Sequence, residues 1–328
     1  MITPVHKARS PETNVTPYMV YPSLKSHSCP HVAEGTCCSA ILKTTSHAAP
    51  PVTPNHYHLP LSHQVHQPSI FKTLASLHAR AAQTLFWRLP YQMRQQVFRQ
   101  VRPELAAYYD QLLHGRAGTY SLATMVERGC LFIHIPKCAG IAVSQALFGN
   151  RAGGHLPLSH YQLIIAPQQY KHLFKFTVVR NPYARLLSAY TFLSSGGLTT
   201  EDASWSSRIL PAYNNFSEFI EGWLTSDRAQ NTLHFRPQTW FLKIPGQSIS
   251  DIDFVAHQET LSTDFDYICQ TLGIANALLG RQNRSSSPET DYRALYSLRA
   301  RQIATEIYRE DLEQFGYRFE ELLPVSSQ

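Results

Sequence analysis

The residues best equipped for chemistry in this chain are cations and hydroxyls at the ends of apolar runs. One such run, Cys130–Ile135, leads into Pro136-Lys137-Cys138-Ala139-Gly140, and the helical pattern Ile141–Gly149 follows. Strand, short loop and helix in that order set free backbone N–H groups and a positive dipole end at the loop, where an anion binds well. Gly140 lets the backbone approach a phosphate closely. Lys137 adds a mobile cation able to neutralise charge building on a bridging oxygen. Pro136, Cys138, Ala139, Gly140, Ile141 and Ala142 are therefore candidate phosphate contacts, and Lys137 is also a candidate catalytic cation. The GxxxxGK[ST] pattern is absent, so this is not the phosphate loop of the nucleotide triphosphatases. A plain strand–turn–helix with a solvated lysine has the same local appearance.

A second segment repeats the geometry. The apolar run Phe174–Val179 ends in Arg180-Asn181-Pro182, and a helical pattern continues to Leu193. Asn181 suits an N-cap and Pro182 the first helical turn. Arg180 then stands at the C-terminal edge of a strand, where open α/β sheets bind ligands. Ser188 follows eight residues later, two turns into the helix, and an arginine fork with a hydroxyl can hold one phosphate.

These loops need a scaffold of alternating strands and helices, and the chain past Tyr120 supplies it. "CLFIHI", "FKFTVV" and "DFVAHQ" read as strands; "IAVSQALFG", "PYARLLSAYTFL" and "TLSTDFDYICQTLG" read as helices. That alternation predicts an α/β domain over residues 120–325, with a central, mostly parallel sheet flanked by helices in three layers. Residues 1–68 are rich in Pro, Ser, Thr and His without apolar periodicity, which predicts a low-complexity extension. Residues 69–119 turn helical, with Leu74, Leu77, Ala81, Leu85 and Phe86 at three- and four-residue spacing and breaks at Pro90 and Pro103. They are expected to form a helical cap on the domain. Arg80, Arg88, Arg94 and Arg99 also fit a helix lying on a membrane surface.

Composition excludes some classes. The chain has 328 residues, 43% hydrophobic and 16% charged, and a net charge of +6. This suits an anionic small ligand, and the lack of long Lys/Arg runs argues against nucleic acid. No apolar run is long enough to cross a bilayer as a helix, and no secretory h-region opens the chain. The six cysteines (Cys29, Cys37, Cys38, Cys130, Cys138 and Cys269) show no CxxC pair, which points to a reducing compartment, the cytoplasm, and away from zinc or a disulfide scaffold.

Taken as an ordered pair, "HIPKCAG" and "VVRNPYARLLSAY" resemble the two nucleotide-binding motifs of the sulfotransferase superfamily. "LHFRPQTWFL" (Leu233–Leu242) and "IYREDLEQFGY" (Ile307–Tyr317) are similar to its carbohydrate-type and bacterial branch. The resemblance spans about residues 128–320. It implies a P-loop-like fold and a donor, 3′-phosphoadenosine-5′-phosphosulfate (PAPS), whose sulfuryl group passes to a hydroxyl, most readily one on a carbohydrate. It also implies that Lys137 contacts the 5′-phosphosulfate and that Arg180 and Ser188 hold the 3′-phosphate. One departure stands out: where the family continues with two hydroxyl residues after the glycine, this chain has Ile141-Ala142. Each lost charge-assisted hydrogen bond is worth about 1.5–3 kcal/mol.

Transfer to a hydroxyl needs a base. His155, after Gly153-Gly154, matches the family position, and His160 and Glu259 are the alternatives; His134 on the strand reads as structural. The glycine pair is expected to let the loop close over an acceptor. His234, Arg236 and Gln238 set polar edges beside Phe235 and Trp240, a mixture that suits a sugar ring. Arg281, Asn283, Arg284 and Ser286 form a late polar loop of the kind the family places near the donor. No metal constellation is visible. Two other readings stay open: a kinase-like nucleotide enzyme, and a glycan- or nucleotide-binding protein that kept the fold without the activity.

Overall fold

The computed structural model describes residues 81–115, 118–245, 249, 251–275, 277–280 and 291–320. The 1–68 extension, residues 69–80 and the Arg281–Ser286 loop lie outside the described residues.

Three short parallel strands, β1 (Cys130–Ile133), β2 (Phe174–Val179) and β3 (Phe254–His257), lie side by side in the order β1-β2-β3. Cys130 pairs with Phe174, and Phe176 with Phe254, so all three strands end on one edge. β1 is buried throughout and β2 from its second residue onward. This explains their continuous apolar runs, as expected for strands covered on both faces. Phe132 and Phe176 stack across the sheet at 5.0 Å, and burying such a ring contributes about 1.5–3 kcal/mol.

Helices join the strands. Between β1 and β2 lie α4 (Gly140–Phe148), α5 (Leu158–Ile164) and α6 (Pro167–His172). After β2 come α7 (Pro182–Ser194), α8 (Thr200–Ile209), α9 (Phe216–Trp223), α10 (Ser226–Asn231) and α11 (Gln238–Leu242). α12 (Leu261–Thr271), α13 (Leu298–Ile307) and α14 (Arg309–Phe315) follow β3. α7 starts where its residue types place the start: Asn181 Oδ1 accepts the Tyr183 N–H at 3.0 Å and Pro182 sits in the first turn. One core surrounds the sheet. A second, aromatic core joins α7, α9 and α13, with Trp205, Phe219, Trp223 and Phe235 in mutual contact.

Before the sheet stand α1 (Tyr91–Val101), α2 (Pro103–His114) and α3 (Ala123–Glu127). α1 packs on α5: Arg94 Nη1 donates to Gln162 Oε1 at 3.0 Å, and Tyr91 Oη to the Ile165 carbonyl at 3.0 Å. Arg99 forks onto Asp110 of α2 at 2.6 and 2.7 Å. Arg94 is thus used inside the protein, which removes one of the four cations that suggested a membrane-facing helix, while Arg99 stays exposed in its pair with Asp110. Among the described residues no helix is long and apolar enough to cross a membrane.

Candidate active site

The parallel sheet brings the loops after β1, β2 and β3 to one edge. The first of them is strained: Lys137 has φ 69° and Ala139 φ 60°, both left-handed without being glycine. That conformation costs roughly 1–2 kcal/mol per residue, and such strain concentrates where a backbone is shaped for a ligand. Successive N–H groups in this kind of turn form an anion-binding concavity, here opening onto the N-terminus of α4. Gly140 has a further reason to be glycine: a Cβ there would stand 1.8 Å from Cδ2 of His134.

A network fixes the loop from below. Arg185, buried on α7, donates Nε to the Pro136 carbonyl at 2.9 Å, and Arg180 Nη1 reaches the Lys137 carbonyl at 3.5 Å. Gln238 joins both loops. Its Oε1 accepts from the Arg180 N–H at 2.9 Å and the Cys138 thiol at 3.2 Å, while its Nε2 donates to the Arg180 carbonyl at 2.9 Å. Asp311, in the C-terminal motif segment, takes the Gln238 and Thr239 N–H groups at 2.7 and 2.9 Å and so caps α11. Gln238 is fully buried with its amide spent, so it holds the loops together and does not present itself to an acceptor.

Above the loop the charge is positive. Burial, and then the Arg180 charge, bring Lys137 down to about 8, with Arg185 adding to the effect. Arg185 Nη2 is buried and, among the described residues, has no hydrogen-bond partner. Three crowded cations with an orphaned donor fit an anionic ligand. Ser188 lies half-buried on α7, two turns past Arg180. Ile141 and Ala142 are half-buried in the first turn of α4, and the Ala142 N–H is already taken by the Ala139 carbonyl at 3.0 Å. Ser144, the nearest hydroxyl on α4, is fully buried.

The histidines separate into distinct roles. His155 is half-buried, its ring 4.3 Å from that of His134. Its Nδ1 lies 3.1 Å from the His134 carbonyl, so Nδ1 carries the proton and Nε2 the lone pair. Burial lowers it to about 4, with His234, Arg185 and Lys137 among the charges that add to the shift. Gly153 and Gly154 form a left-handed turn, and a Cβ at Gly153 would meet Tyr161 Oη at 2.4 Å. Tyr161 and Tyr120 stand beside them in the structure. His160 Nδ1 meets Tyr109 Oη at 2.6 Å and ties α5 to α2, away from the loops. Glu259 is also occupied: Oε1 accepts the Asn181 N–H and Oε2 the Tyr317 hydroxyl, each at 2.7 Å. Both side chains are engaged by these partners in the structure. His134 is buried between Phe132 and His155, as a structural strand histidine should be.

His234 pairs with Asp202 at 3.0 Å. Burial alone would raise the Asp202 carboxyl, but the His234 hydrogen bond and the Leu198 N–H outweigh it and hold it at about 2. Arg236 donates to the Gln230 carbonyl at 2.6 Å and lies 4.1 Å from the Trp240 ring centre. Trp240 is 39% exposed, so this pair offers an open ring face with a cation beside it. Sequence reasoning missed Arg185, Phe192, Asp202 and Asp311. Arg185 and Phe192 had a visible cue, since both fall inside the quoted "VVRNPYARLLSAY" helix or its continuation. Among the described residues no cluster of His, Cys, Asp or Glu could hold a metal ion.

No curated protein and no solved structure matches the chain. The family model described as the sulfotransferase family matches residues 154–318. That span begins beside His155, takes in Arg180, Ser188 and both motif segments that Asp311 joins, and leaves the Pro136–Ala142 loop just ahead of it. With the matched span carrying the sheet edge, the arginine–serine helix and the C-terminal pair that closes on them, the chain belongs to the sulfotransferase family.

Proposed function

We propose that this protein transfers a sulfuryl group from PAPS to a hydroxyl, with a carbohydrate as the acceptor class. The observation that carries the reading is the strained Pro136–Ala139 turn, with Lys137 at its mouth and Arg180 bonded to its backbone. Lys137 and the loop amides receive the 5′-phosphosulfate end. Arg180 and Ser188 receive the 3′-phosphate, with Cys138, Gly140, Ile141 and Ala142 lining the approach. PAPS supplies the activated sulfuryl group. Lys137 neutralises the charge that grows on the departing oxygen. His155, neutral and with Nε2 free to accept, takes the proton of the attacking hydroxyl. Trp240 and Arg236 offer a face and a cation to a sugar, with His234 at its edge. The free, buried thiols of Cys130 and Cys138 accord with the cytoplasm as its compartment.

The test is transfer of radiolabelled sulfuryl group from PAPS to a panel of glycans and simple alcohols. Label on a saccharide hydroxyl is expected, and its loss in Lys137→Ala. Binding of the 3′,5′-bisphosphate product without transfer to any acceptor would replace this reading with that of a nucleotide-binding protein on the same fold, the outcome to which Ile141-Ala142 points. Binding of ATP instead would favour a kinase-like enzyme.

A further inference from the structure

The Lys137 ammonium stands 3.9 Å from the centre of the Phe192 ring. A cation over a phenyl face is held by the negative face of the π system. Among the described residues the ammonium has no ion pair, and this ring is a close attractive contact for it. Phe192 is in the last turn of α7, and its position is itself fixed. His234 meets the ring near edge-on, with centroids 4.9 Å apart, and Asp202 of α8 holds His234 at 3.0 Å. Asp202 is locked in turn by the Leu198 N–H at 3.0 Å. Gly197 packs against it so closely that a Cβ there would lie 2.1 Å from the Asp202 Cβ.

We infer that Phe192 is a positioning residue for the reaction: its face seats the Lys137 ammonium at the mouth of the loop, and the Asp202–His234 pair fixes the ring. What Lys137 then does rests on the donor reading above, whereas the seat does not. The need for a seat follows from the surroundings. Arg180 at the end of β2 and Arg185 on α7 both repel the ammonium, and burial disfavours its charge. His155, from the loop before α5, is a neighbour of Lys137 and neutral near pH 7. The Cys138 thiol is pushed up to about 12 by burial and is also neutral there. That leaves the Asp202 carboxylate and the Phe192 ring to keep the proton on Lys137. A lysine in the middle of two arginines would otherwise swing outward or lose its charge, and either change removes the cation from the leaving oxygen.

The experiment replaces Phe192 with 3,4,5-trifluorophenylalanine, which withdraws charge from the ring face while nearly keeping its shape, and separately with Leu. The acylation of Lys137 by a limiting reagent is followed against pH by mass spectrometry of its peptide, in the full chain. The wild-type midpoint is expected near 8. It should fall by about 0.5–1 unit with the fluorinated ring, and turnover at pH 8 should fall by roughly two- to sixfold. Binding of the bisphosphate product should stay within about twofold. The Leu variant, a good helix former, should show the same direction. An unmoved midpoint in the fluorinated protein would overturn the seat even if transfer is normal. A midpoint that falls in a chain neither binding the bisphosphate nor transferring sulfuryl would support the seat and remove the donor reading.

Discussion

Lys137 and Arg180 hold opposite ends of the proposed donor, so their replacement should separate kinetically. The Lys137 charge is needed most when the leaving oxygen becomes negative. Lys137→Ala is therefore expected to cut turnover by about 10²–10³ with little change in product affinity, since it removes stabilisation realised in the transition state. Arg180→Ala should instead weaken bisphosphate binding by about 1.5–3 kcal/mol, the worth of a charged hydrogen bond, because the 3′-phosphate is remote from the reacting sulfur. Turnover at saturation that survives in both variants would contradict these roles. The pH profile follows from the same groups. His155 must be neutral, which holds above about 4, and Lys137 must be charged, which holds below about 8. kcat/KM should therefore rise through the lower value and fall through the higher one. His155→Ala should lose most of the turnover together with the acid limb. An unchanged acid limb in that variant would assign the limb to another group. Ile141→Thr combined with Ala142→Ser restores two hydroxyls at the first turn of α4. Calorimetry should show product affinity tightened about tenfold or more, one charge-assisted bond's worth; equal or poorer affinity in a folded variant would show that those side chains do not face the phosphate.

At the scale of elements, the loop between β1 and α4 is held in shape against its own backbone preference. Ala139→Gly removes one left-handed penalty and should raise stability by up to about 1 kcal/mol, read from denaturant unfolding. Gly140→Ala should do the reverse. A methyl there meets the His134 ring, which is stacked on Phe132 and lies beside His155, so the variant should lose about 1–3 kcal/mol along with turnover. A Gly140→Ala protein as active and stable as wild type would refute that packing. Much of this framework was legible in the sequence. β2 covers the whole of "FKFTVV", and the strand–loop–helix order announced α4 and α7, because continuous apolar runs and the Asn-Pro cap are local signals. The helices between Ser195 and Ile252 also carry local cues, Thr199, Asn215 and Thr225 each capping the helix that follows. Their partners, however, were not legible: α8 packs on α7, α9 on α13, and α11 on α5 and α14. The same limit explains Gln238 and Glu259. Gln238 reads in sequence as an acceptor contact and Glu259 as an alternative base, yet each has polar atoms engaged by residues 58 or more positions away.

Among the described residues a helical hairpin packs against the α/β sheet domain, and His160 stands at that junction. His160 is pushed down to about 4 by burial, as is His155, so both are neutral in the folded protein where the unfolded chain would bind protons. The stability they confer is complete above the unfolded value near 6.5 and is lost as pH falls toward 4. The melting temperature of the apo protein should therefore drop across that window, and less so in His160→Gln, compared with that variant's own value at neutral pH. Equal pH dependence in the two proteins would place the acid sensitivity elsewhere. The central claim is that the edge of this sheet is built for a nucleotide carrying phosphates at both its 3′ and 5′ positions. Calorimetric titration with adenosine 3′,5′-bisphosphate, set beside ATP, tests it most directly. The account predicts saturable one-to-one binding of the bisphosphate, lost in Arg180→Ala, with ATP far weaker. ATP binding as tightly as the bisphosphate, or a folded protein that binds neither at millimolar concentration, would contradict it.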